Sequence, residues 1–236
     1  MATIPSGGSP IDLASGFGSV WAANLDDATA VRVDPATNEV TATIDVGAAP
    51  DGITVGAGSV WVMNSGDGTI SRIDPDTNEV IDTLDVGGSP YYGDATSGEL
   101  WVTDIDGARV LRIDPASGEV VAEVPTDLSP IHVRLGFDAV WVTTFDGATV
   151  HRIDPATNEK VATIDVGAGA DGIVFDDDSV WIVTDRAHTI VRIDPATNEI
   201  TGTWDVGTEP HNGAILDGHF WTAAFEDDQL LRLQLA

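Results

Sequence analysis

The sequence predicts an all-β fold, a six-bladed β-propeller with four antiparallel strands per blade, and three observations carry the prediction. Trp stands at 21, 61, 101, 141, 181 and 221 and Arg at 32, 72, 112, 152, 192 and 232, a 40-residue repeat from end to end. Within a repeat, short blocks rich in β-branched residues (DGITV, SVWVM, TISRID, EVIDTLDV) alternate with turns whose Gly, Asn and Asp supply tight backbone angles. No stretch carries a helical period, and Pro or Gly interrupts the chain about every ten residues. Four strands in about 40 residues is the size of one propeller blade.

The elements follow in order. The first strand of each blade enters from a turn. The second holds the Trp among apolar neighbours (VWA, VWV, LWV, VWV, VWI, FWT), where a large ring fills the space between blades. The third holds the Arg, two residues before Asp34, Asp74, Asp114, Asp154 or Asp194, so that Arg and Asp share a face and are expected to form ion pairs and cap turn carbonyls. A DPATN-like turn, with Pro preset at its second position, leads to the fourth strand. The last repeat stops at Ala236, after its third strand, and Ala2-Thr3-Ile4 matches Ala42-Thr43-Ile44. The N-terminal strand is therefore expected to complete the last blade, closing residues 1–236 into a single domain with no free sheet edge.

Charge narrows the partners. With 39 acidic against 10 basic residues and a formal charge of −29, the chain repels phosphate backbones and anionic bilayers, so nucleic acid is excluded as an expected partner. Two readings of the acidic surface stand side by side, a halophilic-like adaptation to salt and a solubilising skin. The absence of cysteine excludes disulfides, thiolate catalysis and cysteine-bound zinc. No apolar run approaches the ~20 residues of a membrane span, so membrane insertion is not expected. The compartment stays open; an extracytoplasmic placement is one expectation, with the export signal outside this stretch. The protein is expected to be a monomer.

Functional residues are sought where the repeat breaks its own pattern, because a position that only builds a blade has the same task six times. In a propeller the turn entering the first strand and the turn between the second and third strands share a face. At the entering turn the pairs read Ile11-Asp12, Asp51-Gly52, Tyr91-Tyr92, Ile131-His132, Asp171-Gly172 and His211-Asn212, and single blades add Arg109, Arg186 and His188. The expected ligand-binding residues are Asp12, Asp51, Tyr91, Tyr92, His132, Asp171, Asn212 and Arg186. His151 is expected in the core, and His219 on the opposite face. No GxSxG elbow and no GxxxxGK[ST] loop occurs, which leaves serine-nucleophile and phosphate-cradle chemistry without support.

Units such as VWVMNSGDGTISRIDPDTNEVIDTLDVGGSP and VWVTTFDGATVHRIDPATNEKVATIDVGAGA resemble the YVTN-type and virginiamycin B lyase-like propeller repeats, over all six units. The resemblance implies a magnesium-dependent enzyme that opens a streptogramin lactone by elimination, with a last-blade Glu-Pro-His and a second Glu after the Trp. Glu209, Pro210 and His211 match the first motif, and Glu226 lies one residue later than the second. Carried over, Glu209 and Glu226 would bind Mg2+ as oxygen ligands and His211 would be the catalytic general base. The chain departs from the lyase pattern in having six repeats rather than seven, in never placing Glu three residues after Trp, and in carrying Asp171 where the lyase has a second histidine.

Three classes of function follow: a recognition or scaffold module that binds a small molecule or a protein loop at the channel mouth, without catalysis; a metal-dependent lyase; and an engineered or consensus-like repeat scaffold without activity. The adjacent Tyr91 and Tyr92, aromatic bodies with polar tips, favour the first.

Overall fold

The computed structural model describes residues 2–235, all-β with 23 strands in six sheets. The chain divides into two compact units, residues 1–123 and 124–236.

Three antiparallel meanders begin in the first unit. They are β1 (Pro10–Gly16), β2 (Ser19–Asn24), β3 (Thr29–Asp34) and β4 (Glu39–Asp45); β5 (Pro50–Gly56), β6 (Ser59–Asn64), β7 (Thr69–Asp74) and β8 (Glu79–Asp85); and β9 (Pro90–Ala95), β10 (Leu100–Asp104), β11 (Arg109–Ile113) and β12 (Val120–Pro125). The second unit repeats the scheme with β13 (Pro130–Gly136), β14 (Ala139–Thr144), β15 (Thr149–Asp154) and β16 (Glu159–Asp165); β17 (Ala170–Phe175), β18 (Val180–Thr184), β19 (Thr189–Asp194) and β20 (Glu199–Asp205); and β21 (Pro210–Leu216), β22 (His219–Ala224) and β23 (Gln229–Gln234). Within each unit the first strands of successive sheets lie side by side, β1 by β5 by β9 and β13 by β17 by β21.

The core forms where sheets face one another within a unit. In the first unit Trp21, Ala23 and Ile44 pack with Ile53, Val60 and Val62 of the next sheet. In the second, Trp141, Val150 and Ile164 pack with Ile173, Val180 and Ile182. Trp21, Trp61, Trp101, Trp141 and Trp181 are at most 1% exposed, as expected of rings that fill the space between sheets.

The expected Arg–Asp pairing is corrected. Each Arg is the direct cross-strand partner of its sheet's Trp, and its guanidinium lies 5.0–5.7 Å from the ring centroid. Register decides this: the residue opposite on the neighbouring strand is closer than the one two positions along the same strand. The Asp carboxylates turn instead to their own loops, where Asp34 accepts from the Ala36 N–H and Asp194 from the Ala196 N–H at 2.7–2.8 Å. The expected capping of turn carbonyls does occur: Arg32 Nη1 donates to the Pro75 carbonyl at 2.6 Å. Asn38, Asn78, Asn158 and Asn198 close the DPATN-like turns with φ near 60°, the left-handed geometry asparagine tolerates.

The closing strand is also corrected. Residues 2–9 carry no strand, and the last sheet has three strands. Pro5 lacks an N–H for a ladder, and the next residues are held at a turn, where Asn24 Nδ2 donates to the Ser6 carbonyl at 2.8 Å and the Gly8 N–H to Asp27 at 2.6 Å. Without a fourth strand, Leu230 of β23 is 77% exposed, although Ile190 at the same repeat position is 1% exposed.

Candidate functional site

One backbone bond, present in all six repeats, joins the two turns that carry the variable residues of each sheet. The N–H at the start of the turn after the second strand donates to the carbonyl of the residue just before the first strand: Leu25 to Ser9, Ser65 to Ala49, Ile105 to Ser89, Phe145 to Ser129, Asp185 to Gly169 and Phe225 to Glu209. The bond holds the two turns of each sheet together, as the sequence predicts. Immediately after it, the pairing of first and second strands slips after Pro10, Pro50, Pro130, Ala170 and Pro210. Such a bulge frees residues from the ladder and re-aims their side chains. Of the pairs that vary along the sequence, Ile11 and Asp51 fall in these slips in the first unit, while Asp12 and Gly52 rejoin the ladder; in the second unit both residues of 131–132, 171–172 and 211–212 fall in them.

In the first unit the expected site residues are engaged by the fold. Asp12 accepts the Leu13 N–H and, with its other oxygen, the Ile53 N–H of the next sheet, each at 2.8 Å. Asp51 accepts from the Ser65 hydroxyl; burial pushes its carboxyl above the usual range, and that hydrogen bond pulls it back in part. Tyr91 and Tyr92 meet edge to face at 4.9 Å. Gly52 lies against the Tyr91 carbonyl so closely that a Cβ there would come within 2.2 Å of its oxygen, which accounts for Asp51-Gly52 as a pair. Arg109 bonds Asp104 and Glu123 at 2.7 Å each.

The second unit gathers titratable groups from three successive sheets. Asp171 Oδ1 is 3.0 Å from His132 Nδ1, and Asp171 Oδ2 is 3.4 Å from His211 Nδ1. The same His211 nitrogen is 3.3 Å from Asp185 Oδ2. Both Asp side chains are 11% exposed, His132 is 18% exposed and His211 is 56% exposed, so two shielded carboxylates hold an imidazole that reaches solvent. Phe225 stands beside it, edge to face with a centroid separation of 6.2 Å, and is 70% exposed. Gly172 permits the cluster, since a Cβ there would meet the His211 carbonyl and the Asn212 side chain at 2.8 Å. Sequence reasoning named His132, Asp171 and His211 but missed Asp185 and Phe225. Their signal was the residue four positions after each Trp, whose N–H donates at the recurrent turn.

The other expected residues lie around this cluster without joining it. Arg186 bonds Asp146 of the preceding sheet at 2.9 Å and lies 4.4 Å above the Phe145 ring. The Ser129 hydroxyl, and then Arg186, holds the Asp146 carboxyl below its usual range. Asn212 accepts the Gly213 N–H at 2.8 Å. Glu209 has φ 53°, as Ser9, Ala49 and Ser129 do at the same repeat position with φ 49–58°, so its backbone follows the fold. Glu209 and Glu226 occupy the two positions at which Ser9 bonds Asp26 and Ser129 bonds Asp146. Among the described residues no three His, Asp or Glu side chains gather as a metal-holding group. His151 is fully buried, as expected, with Nδ1 on Thr163 at 3.1 Å and Nε2 accepting the Asp127 N–H at 3.1 Å. Burial, with the Lys160 charge adding to it and Asp127 opposing, lowers its pKa to about 4.

No protein-family model matches the sequence, and no curated protein matches it. Solved structures do resemble it. Virginiamycin B lyase from Staphylococcus aureus superposes with TM-score 0.83 at 20% identity, over 99% of this chain and 87% of the lyase. A streptogramin B lyase gives TM-score 0.72 at 20% identity, over 100% of this chain and 96% of that one. The computationally designed Ika8 protein gives TM-score 0.83 at 15% identity, over 96% of this chain and 71% of Ika8. The lyases are a β-propeller family, and at these identities the likeness establishes the fold alone.

Proposed function

We propose that the second unit carries a recognition site for a small organic molecule, bound without turnover. The observation that carries this reading is the Asp171 carboxylate between His132 and His211, at 3.0 and 3.4 Å. At the same repeat position in the first unit, Asp51 takes only a serine hydroxyl. Asp171 and Asp185 engage one nitrogen of His211 and leave its Nε2 for a ligand's polar group, while exposed Phe225 offers a ring face for an apolar or planar part. Saturation-transfer NMR with a set of ring-containing heterocycles would test this on the parent, His211→Ala and Phe225→Ala. Binders to the parent that are lost in both variants support the site; equal signals in all three proteins overturn it.

A second reading, a magnesium-dependent lyase, is favoured by one observation: Glu209 and Glu226 stand at repeat positions whose side chains bond each other in two other sheets. Two carboxylates there would supply oxygen ligands, and the metal would supply positive charge next to His211. The donor set fits only in part, since no third protein ligand joins them among the described residues, and no chemical step is assigned to magnesium. Titration calorimetry with magnesium on the parent and on Glu209→Gln tests the metal; equal heats in both remove it. Incubation with a streptogramin lactone, followed by chromatography, tests the chemistry, and an unaltered retention time rejects it.

A further inference from the structure

We propose that Asn212 is a self-modifying site, converted in the folded protein to aspartate and isoaspartate through a cyclic imide formed with Gly213. Asn212-Gly213 is the only Asn-Gly pair in the chain. Its side chain is exposed to water, and it lies within the register slip between Pro210 and Gly213 of β21. There the Gly213 N–H is directed at the Asn212 side chain, with the nitrogen 2.8 Å from Oδ1. That contact holds the backbone nitrogen next to the side-chain amide carbon it must attack, with no Cβ on residue 213 to obstruct the approach.

The reaction balances without a co-reactant other than water. The Gly213 nitrogen bonds to Asn212 Cγ and loses its proton, the Cγ–NH2 bond breaks, and ammonia leaves with that proton. A five-membered imide remains. Water adding at Cγ opens it to aspartate; water adding at the backbone carbonyl carbon opens it to isoaspartate. Nothing is oxidised or reduced, and the net change is asparagine plus water to a carboxylate plus an ammonium ion.

Two features of the repeat bear on why the pair persists and what its conversion does. Glycine at 213 is imposed by packing, because a Cβ there would lie 2.3 Å from the Phe220 ring. A carboxylate at 212 fits the fold, because Asp12 occupies the same repeat position and accepts the next N–H at the same 2.8 Å. Conversion places a new negative charge one residue from His211, whose Nδ1 stands 3.4 Å from Asp171 and 3.3 Å from Asp185. Other asparagines serve as internal controls: Asn24 and Asn64 are fully buried, and Asn38, Asn78, Asn158 and Asn198 each precede glutamate.

The test is peptide mapping by mass spectrometry after incubation at mildly alkaline pH, with isoaspartate detected enzymatically and the free peptide TEPHNGAI run alongside. The expected result is the mass gain of replacing NH2 by OH confined to residue 212, at a rate in the folded protein no slower than in the peptide, and absent in Asn212→Gln. An Asn212 that survives in the folded protein while the peptide converts overturns the proposal, because the strand would then be protecting the bond.

Discussion

His132 and Asp171, from neighbouring sheets, meet at 3.0 Å although 39 residues separate them in the chain, nearly one full repeat. Both stand on bulges, and that irregularity, not the regular ladder, turns them toward each other. Replacing Asp171 with Leu removes the carboxylate that stands 3.0 Å from His132 Nδ1 and 3.4 Å from His211 Nδ1. The expected loss is about 1 to 3 kcal/mol in urea unfolding, the range for a shielded polar group deprived of its partner. A change within a few tenths would show that the carboxylate orders nothing.

Buried His151 sets an acid limit. Its pKa is lowered to about 4 in the folded chain from 6.5, so the unfolded chain takes the proton first as pH falls. Its contribution is whole above pH 6.5, is lost as pH falls from 6.5 toward about 4, and does not return below that. The loss across the window is about 3 kcal/mol for a shift of this size. A His151→Gln variant should show a shallower dependence of stability on pH between those limits, and an unchanged slope would refute the assignment.

Arg32 joins two sheets of the first unit, with Nε donating to Ser19 at 2.8 Å and Nη1 to the Pro75 carbonyl and Asn78 at 2.6 and 2.9 Å. Arg32→Met should cost about 2 to 3 kcal/mol, since the acceptors lose a charged donor and the Trp21 face its cation. Lysine should not rescue it, because the planar fork serves several acceptors at once. Full rescue by Arg32→Lys in thermal unfolding would reduce the role to charge alone.

Arg186 and Asp146 present the opposite case. Their side chains are 55% and 46% exposed, and a double-mutant cycle should give a coupling below about 1 kcal/mol that shrinks with added salt. A larger, salt-insensitive coupling would place the pair in a drier setting than its exposure implies.

Ile190 and Leu230 share a repeat position at 1% and 77% exposure. Ile190→Ala should cost about 2 to 5 kcal/mol through a cavity, and Leu230→Ala less than about 0.5 kcal/mol. Equal losses in chemical denaturation would mean that something covers Leu230 in solution.

By itself the sequence determined the repeat, its four-strand unit and the positions where the repeat varies. Trp every 40 residues, β-branched blocks and DPATN-like turns are local signals, and each strand pairs with its neighbour in sequence, so short-range pattern suffices. It also marked His132, Asp171 and His211 as candidates, because each breaks a pattern visible along the chain. Only the tertiary structure decided what those residues meet. Whether Arg32 pairs with Asp34 or lies on Trp21 depends on cross-strand register, which same-strand spacing does not contain. Asp185 entered the cluster because its turn is bonded to the Gly169 carbonyl and brought beside His211, a contact between sheets. Ala2-Thr3-Ile4 has the letters of a fourth strand without being one. A strand forms where a partner edge and a ladder of N–H and C=O groups are available, and there Pro5 offers no N–H and the chain is held instead through Ser6 and Gly8.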